Sequence, residues 1–193
     1  MSLSKTIYVE SSNGCKEYNL NAIHAKEGTL FLTGSITTET AVQFVSVMKY
    51  MAENEKEVTL FINSTGGEVN AGLVIYDVIQ SYPYILNIVC TGIAGSMSAV
   101  LLAGGQKGRR FILPHSKVMI HEPLIIDGFG GSATTIEKKA QSILETKSVI
   151  NGILAKDAGK SIEEINLATA YDNVMSAYEA ISFGICDEIR NIY

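Results

Sequence analysis

Two successive turns rich in small residues constrain the fold of this chain more than any other feature of its sequence. The first follows an apolar run at residues 58–63 and contains Gly66 and Gly67, and the second follows an apolar run at residues 86–90 and spans residues 92–95. Apolar runs of this length are typical of buried parallel strands, and each turn leads into a helical pattern. Because connections between parallel strands are right-handed, both turns are predicted to lie at one edge of an α/β sheet.

The rest of the sequence predicts further elements around this pair of units. Strands are predicted at residues 29–33, 58–63, 86–90, 109–113 and 117–121, and helices at 37–51, 70–80, 97–103, 134–157 and after the capping-box residues Ser161 and Ser176. Residues 4–28 are polar and are predicted to be irregular, apart from a turn at 11–14 and a short strand at Tyr8 and Val9. No regular element is predicted at 171–173. We expect a single domain over residues 1–193.

Composition and charge argue against several classes of function. The chain has 193 residues, of which 47% are hydrophobic and 18% charged, so it is a globular chain and not a disordered one. The net charge of −5, without a dense basic run, argues against binding to nucleic acid or to an anionic membrane. No apolar run approaches the ~20 residues that span a bilayer, and the N-terminus does not resemble a secretory signal.

The cysteines and histidines form no metal-binding or disulfide pattern. Cys15, Cys90 and Cys186 are odd in number and far apart, which favours a reducing, cytoplasmic location. Cys90 lies inside an apolar strand and is a poor candidate nucleophile, because buried cysteines are mostly inert. The three histidines show no zinc-ligand spacing with the cysteines, so no metal is expected.

Ser96 is the candidate nucleophile. It follows the turn at 92–95 and opens the helix at 97–103, where unpaired N–H groups suit a developing oxyanion. Small residues in the turn would leave its hydroxyl uncovered. The alternative is that these residues serve close packing and that Ser96 is an ordinary N-cap. The stretch also lacks the G-x-S-x-G pattern of α/β-hydrolases.

His121 is the candidate general base, because it ends a strand of the same predicted sheet and a serine nucleophile needs a base. His24 lies in a polar segment and His115 follows a proline between strands, so both are more typical of surface histidines. The alternative for His121 is a satisfied histidine at a strand end. Spacing alone does not choose the acid that would orient it: the candidates are Asp127, Asp157, Asp172 and Asp187.

Four motifs, in order and at nearly the same spacing, together resemble one known family. They are Phe61-Ile62-Asn63-Ser64-Thr65-Gly66-Gly67, Gly92-x-Ala94-x-Ser96-Met97, Met119-Ile120-His121-Glu122-Pro123 and Ser176-x-x-Glu179-Ala180-x-x-x-Gly184-x-x-Asp187. Over residues 29–189 the chain resembles the ClpP family, the proteolytic subunit of the Clp ATP-dependent protease. The resemblance implies the α/β ClpP/crotonase-like fold of repeated ββα units with a protruding helical handle.

The resemblance also implies a role for particular residues. Ser96 would be the nucleophile, His121 the general base and Asp172 the triad acid, with the N–H groups of Gly67 and Met97 as the oxyanion hole. The segment that would pair with extended substrate consists of Gly128, Phe129, Gly130, Gly131 and Ser132. The handle would span about residues 124–158, and residues 1–28 would form the axial segment.

The implied function is that of a cytoplasmic serine endopeptidase that hydrolyses unfolded proteins and peptides inside a ring chamber. Its expected partners are further copies of itself, in heptameric rings stacked in pairs, and a separate AAA+ unfoldase of the Clp family. No metal or organic cofactor is implied, and the chain has no nucleotide-binding motif of its own. The alternatives are a non-proteolytic scaffold subunit of a mixed ring and an acyl-CoA enzyme of the crotonase type.

Several residues depart from the usual pattern of the family. Thr65 stands where a proline is usual, and Glu122 replaces a glutamine beside the candidate base. Ala170 and Tyr171 stand where an acidic residue and an arginine usually bridge the two rings, which leads us to expect altered assembly. At the docking site for the ATPase, Phe61 is aromatic but the position of Thr59 is not.

Overall fold

The computed structural model describes residues 6–11, 14–125 and 130–191. The strands in these residues are β1 (Thr6–Ser11), β2 (Gly14–Asn19), β3 (Thr29–Ile36), β4 (Glu57–Gly67), β5 (Ile85–Gly95), β6 (Arg110–Ile112), β7 (Lys117–Ile120), β8 (Asn173–Ser176) and β9 (Glu188–Ile189). The helices are α1 (Leu20–Lys26), α2 (Thr38–Asn54), α3 (Val69–Ser81), α4 (Met97–Ala103), α5 (Ala133–Ala158), α6 (Ile162–Thr169) and α7 (Ala177–Phe183). The predicted α/β fold is confirmed.

A seven-stranded sheet organises the molecule. Strands β3, β4, β5, β6 and β9 are parallel neighbours in that order. The long strand β5 has two partners on the same side, because its first half pairs with β6 and its second half, at Ile93–Gly95, pairs with β7. Strand β8 then pairs antiparallel with β7. This division of β5 brings the ends of β5 and β7 together.

The predicted apolar runs form the core of this sheet. Residues 86–90 of β5 are buried without interruption, as expected for a strand covered on both faces. Strand β4 instead alternates, with Val58, Leu60 and Ile62 inside. Helix α4 is buried along its whole length, which explains why its sequence is apolar on every side.

The prediction that residues 4–28 are irregular is wrong for the part that the structure describes. Strands β1 and β2 form an antiparallel hairpin, and α1 follows directly, with Asn19 as its N-cap. The short strand predicted at Tyr8 and Val9 lies within β1. The described side chains of β2 are all exposed, and α1 has no buried residue. A hairpin whose strands pair chiefly with each other does not need the apolar alternation that identifies a half-buried strand.

Two capping boxes begin α6 and α7 as predicted. The side chains of Ser161 and Ser176 each accept a hydrogen bond from the backbone three residues later, and the glutamates at those positions bond back. The expectation that residues 171–173 carry no regular structure fails at Asn173, which begins β8. Its pairing with Ile120 is long-range and leaves no local signal in the sequence.

A buried arginine connects the end of the chain to the core. The Arg110 side chain is 2% exposed and donates to the carbonyl oxygens of Ala103, Asp157 and Gly184. It also donates through Nε and Nη2 to both oxygens of Asp187, at 3.0 and 2.5 Å. A buried guanidinium requires such a complete set of acceptors. Gly184 and Asp187, two residues of the fourth motif, therefore have structural roles.

Candidate active site

The register between β5 and β7 brings Ser96 and His121 together. Gly95 pairs with Met119, and the Ser96 N–H donates to the Met119 carbonyl oxygen at 2.8 Å. His121 comes directly after β7, two residues beyond Met119. The Ser96 Oγ and His121 Nε2 atoms are 2.9 Å apart, within hydrogen-bond distance. The serine and the histidine singled out in the sequence are thus neighbours in space.

The backbone of Ser96 is strained. Its φ and ψ angles are 52° and −124°, and among the described residues it is the only non-glycine with a positive φ. Such a conformation costs about 1–3 kcal/mol and persists only where the surroundings impose it. The Ser96 side chain makes no capping hydrogen bond to α4, so the alternative of an ordinary N-cap is not what the structure contains. The strain aims the hydroxyl at His121.

This strain predicts an unusual order of stabilities. Both Ser96→Gly and Ser96→Ala remove the hydroxyl, but only glycine accepts the positive φ without strain. We expect the glycine variant to have a free energy of unfolding about 1 kcal/mol higher than the alanine variant. Urea denaturation at equal protein concentration measures the difference. At Ser98, inside α4, the order should reverse by about 0.5–1 kcal/mol because glycine weakens a helix. Equal stability of the two Ser96 variants would contradict the assignment of strain.

The two glycine-rich stretches meet at one end of the sheet, as the sequence predicted, but they form the last residues of β4 and β5 and are not turns. A Cβ atom added to Gly66 would lie 2.7 Å from the Ser96 Cβ and 3.0 Å from the Met97 nitrogen. One added to Gly67 would lie 2.1 Å from the Ile36 carbonyl oxygen, so no side chain fits there. At the end of β4, the Gly66 N–H donates to the buried hydroxyl of Ser64 at 3.0 Å. The backbone of Gly66 thereby lies against Ser96 and Met97, whereas Gly67 lies against Ile36 of β3.

The structure separates the candidate acids. Asp187 is bound to Arg110, and Asp157 accepts a hydrogen bond from Tyr76 at 2.8 Å. Asp127 lies outside the described residues. Asp172 has an Oδ1 atom 3.7 Å from His121 Nδ1, too far for a hydrogen bond, and its side chain is 76% exposed. The His121 Nδ1 atom is buried and has no hydrogen-bond partner in the described part of the chain. Asp172 is the nearby acid, but the contact is open.

The remaining nucleophile and base candidates lie elsewhere. The ring of His24 packs edge-on against Phe31, and His115 is exposed. Cys90 is buried in β5, and burial raises the pKa of its thiol to about 12, so the thiolate is scarce at neutral pH. Across the described ranges, no three histidine, cysteine or acidic side chains are grouped as a metal site would require.

The structure also shows the contacts of residues at positions where the sequence was compared with the usual family pattern. The Glu122 carboxylate forms an ion pair of 2.6 Å with Lys147 of α5. Tyr171 is 86% exposed beside Asp172. At the opposite edge of the sheet, Phe61 stacks on Phe31, with ring centroids 5.4 Å apart.

A small apolar cavity of about 20 Å³ opens beside Ser96 and His121. Its other lining residues are Val69, Met97, Val100, Ile120, Pro123, Ile150 and Leu154. The periodicity of α5 marks Ile150 and Leu154 only as a buried stripe. No sequence signal separates a helix face that packs on the core from one that also lines a pocket, so these residues were missed.

The predicted substrate-pairing segment is only partly described. Gly128 and Phe129 lie outside the described residues. Gly130, Gly131 and Ser132 are exposed and lead into α5, where the Ser132 hydroxyl accepts a hydrogen bond from the Thr135 N–H at 3.3 Å. The first turns of α5, residues 133–139, are exposed as well. The substrate-binding and handle roles of these segments stay predictions.

A serine within hydrogen-bond distance of a histidine, beside two glycine-rich strand ends of a parallel sheet, is typical of serine hydrolases. A family model described as Clp protease matches residues 12–192. The chain therefore belongs to the Clp protease family, which confirms the resemblance carried by the four motifs. In the parts of the chain that the structure describes, no helix is both long and apolar enough to cross a membrane.

Proposed function

We propose that this protein is a serine endopeptidase of the ClpP type. The observation that carries the proposal is the distance of 2.9 Å between Ser96 Oγ and His121 Nε2, together with the strained backbone that aims the serine. Membership of the Clp protease family supports the same chemistry. The strain has no evident structural use in an inactive chain, which favours a catalytic role.

In the proposed reaction the Ser96 oxygen attacks a peptide carbonyl while its proton passes to His121 Nε2. The carbonyl oxygen becomes an oxyanion, which the N–H groups of Gly67 and Met97 would stabilise by hydrogen bonds. As the intermediate collapses, the C–N bond breaks and the leaving amine takes the proton from His121. Water then hydrolyses the acyl-enzyme, again with His121 as the base, and frees Ser96.

Asp172 would complete the triad by accepting a hydrogen bond from His121 Nδ1–H, which holds the ring and stabilises the imidazolium. The present separation of 3.7 Å must shorten to about 2.7–3.2 Å for this bond to form. Since the Asp172 side chain is largely exposed, a small movement of its carboxylate is enough. The unpaired Nδ1 atom supplies the driving force, because a buried polar group without a partner is costly.

The proposed substrates are unfolded polypeptides, which would lie extended along residues 128–132. The proposed assembly is a chamber of heptameric rings in the cytoplasm, fed by an AAA+ unfoldase. Phe31, which stacks on Phe61, lines a groove of about 270 Å³ that supports docking of such a partner. Exposed Tyr171 supports a contact between rings that differs from the usual ionic one.

Fluorophosphonate labelling followed by intact-mass measurement tests the proposal. An activated serine displaces fluoride and gives one adduct per chain. We expect one adduct in the wild type and in Ser98→Ala, none in Ser96→Ala, and labelling slower by at least about 10³-fold in His121→Ala. Ser98 is the matched control because it is a buried serine only two residues away.

The opposite results would contradict the proposal in distinct ways. Labelling that persists in Ser96→Ala would mean that another residue reacts. No adduct in folded, oligomeric wild type would favour a scaffold subunit, an alternative that the open contact between His121 and Asp172 also supports. A search for a co-purifying second ClpP-like chain would then follow.

A further inference from the structure

Asp172 lies in the segment 170–172, which we call the arch. The residues just outside the two ends of the arch are bonded to the residues on either side of His121. On one side the Glu122 N–H donates to the Thr169 carbonyl oxygen at 2.8 Å. On the other, Ile120 pairs with Asn173 at the start of β8. Glu122 and Ile120, on either side of the histidine, are thus bonded to Thr169 and Asn173, on either side of the arch. The position of the Asp172 carboxylate relative to the ring depends on where these two attachments lie.

The attachment at Thr169 is fixed from inside the protein. Thr169 is fully buried, and its hydroxyl donates to the Ile165 carbonyl oxygen at 2.8 Å. The same hydroxyl accepts a hydrogen bond from Asn151 Nδ2 at 3.1 Å, and Asn151 is also fully buried. Asn151 donates a second bond, at 2.8 Å, to Asn166 Oδ1. Helix α5 therefore contacts the residue beside the arch through a buried amide.

This buried amide is not explained by packing alone. The Asn151 Oδ1 atom is buried and has no hydrogen-bond partner among the described residues, so burial of this side chain carries a cost in free energy. One turn earlier on α5, Lys147 forms the ion pair with Glu122. The two contacts join α5 to both sides of the bond between Glu122 and Thr169. The ion pair is partly exposed and contributes little, so the buried contact does most to hold the arch.

We propose that Asn151 and Thr169 are positioning residues that set the distance between the Asp172 carboxylate and His121 Nδ1. The inference rests on the proposed function, since it needs His121 to act as the base. Its physical basis is that a change of less than 1 Å decides whether the 3.7 Å contact becomes a hydrogen bond. A misplacement of about 1 Å near a catalytic group can lower a rate by about 100-fold.

Thr169→Val tests the proposal because valine keeps the shape and removes the hydroxyl. With a fluorogenic peptide we expect kcat to fall by about 10- to 100-fold while KM stays within about twofold. Asn151→Ala removes the same bond from the other partner and should give a similar loss. Thr169→Ser should restore kcat to within about threefold of the wild type. The matched control is Asn166→Ala, which removes the other Asn151 bond from the exposed side and should leave kcat within about twofold.

A double mutant separates positioning from general destabilisation. If Thr169 acts through Asp172, Thr169→Val should lower kcat by less than about twofold in an Asp172→Asn background. Losses that multiply in this background, a loss confined to KM, or wild-type kcat in both Thr169→Val and Asn151→Ala would overturn the proposal while leaving the peptidase assignment intact. A wild type that neither cleaves peptide nor reacts with fluorophosphonate would overturn both.

Discussion

Replacement of His121 by alanine is expected to lower the turnover of a peptide substrate by about 10⁴- to 10⁶-fold. The Ser96 hydroxyl is a weak nucleophile at neutral pH, and the imidazole 2.9 Å away is the one base that the structure brings to it within the described residues. Without that base the proton has no acceptor in the transition state. The KM should change little, because the ring acts on the reacting atoms and not on the bulk of the substrate. Steady-state kinetics with a fluorogenic peptide measure both constants.

His115→Ala is the control for this variant, because His115 is exposed and should leave kcat unchanged within about twofold. Asp172→Asn is informative beside it. A loss of about 10⁴-fold would mean that the assembled enzyme closes the 3.7 Å contact, whereas a loss below about tenfold would mean that the contact stays open. Turnover by His121→Ala at a tenth of the wild-type rate would contradict the proposed base.

Replacement of Arg110 by methionine is expected to lower the free energy of unfolding by about 3–5 kcal/mol. The guanidinium is 2% exposed and satisfies three backbone carbonyls as well as the Asp187 carboxylate. Methionine fills much of the volume but removes all of these bonds, and the carbonyls of Ala103 and Gly184 lose their guanidinium donor in a largely buried place. Urea denaturation of the wild type and the variant at equal protein concentration measures the loss.

Arg109→Met is the matched control for this prediction. The Arg109 side chain is 43% exposed, and its nearest acid, Glu57, is 4.0 Å away, so the change should cost less than about 1 kcal/mol. Equal losses at Arg109 and Arg110 would contradict the importance of burial.

The ion pair between Arg110 and Asp187 predicts a dependence of stability on pH. Burial tends to raise the pKa of Asp187, but hydrogen bonds from Arg110 and Gly108 and the charge of Arg110 outweigh it, so the pKa lies below its usual range. A carboxyl whose pKa is lowered by folding stabilises the protein above its unfolded pKa, near about 3.9, and loses this effect as the pH falls through the folded pKa. The difference in unfolding free energy between the wild type and Asp187→Asn should therefore shrink between about pH 5 and pH 2. A constant difference would contradict it.

Much of the candidate site could be predicted because its residues follow strands. The two glycine-rich stretches, Ser96 and His121 all lie just beyond apolar runs, and parallel strands bring such positions to one end of the sheet. The choice among four aspartates could not be made from the residues alone. Asp172 reaches His121 through the long-range pairing of β8 with β7, whereas Asp187 is engaged by Arg110 from a distant part of the chain.

The N-terminal hairpin and the pair Asn151 and Thr169 could not be predicted from the sequence, for a related reason. A hairpin with exposed side chains has no apolar alternation to detect. Asn151 and Thr169 are polar residues in helices, and in a sequence such residues indicate an exposed face. Their burial follows from how α5 and α6 pack on each other and on the segment after β7.

The sequence by itself determined the order of strands and helices from β3 to α6, the buried runs, the helix starts at Ser161 and Ser176 and the identity of the nucleophile and base candidates. These features depend on local periodicity, capping and turn chemistry, which neighbouring residues specify. Only the tertiary structure decided the 2.9 Å approach of Ser96 to His121, the open contact to Asp172 and the buried bond between Asn151 and Thr169. These features depend on the register between strands and on helix packing, which join residues far apart in the chain at distances where less than 1 Å decides whether a hydrogen bond forms.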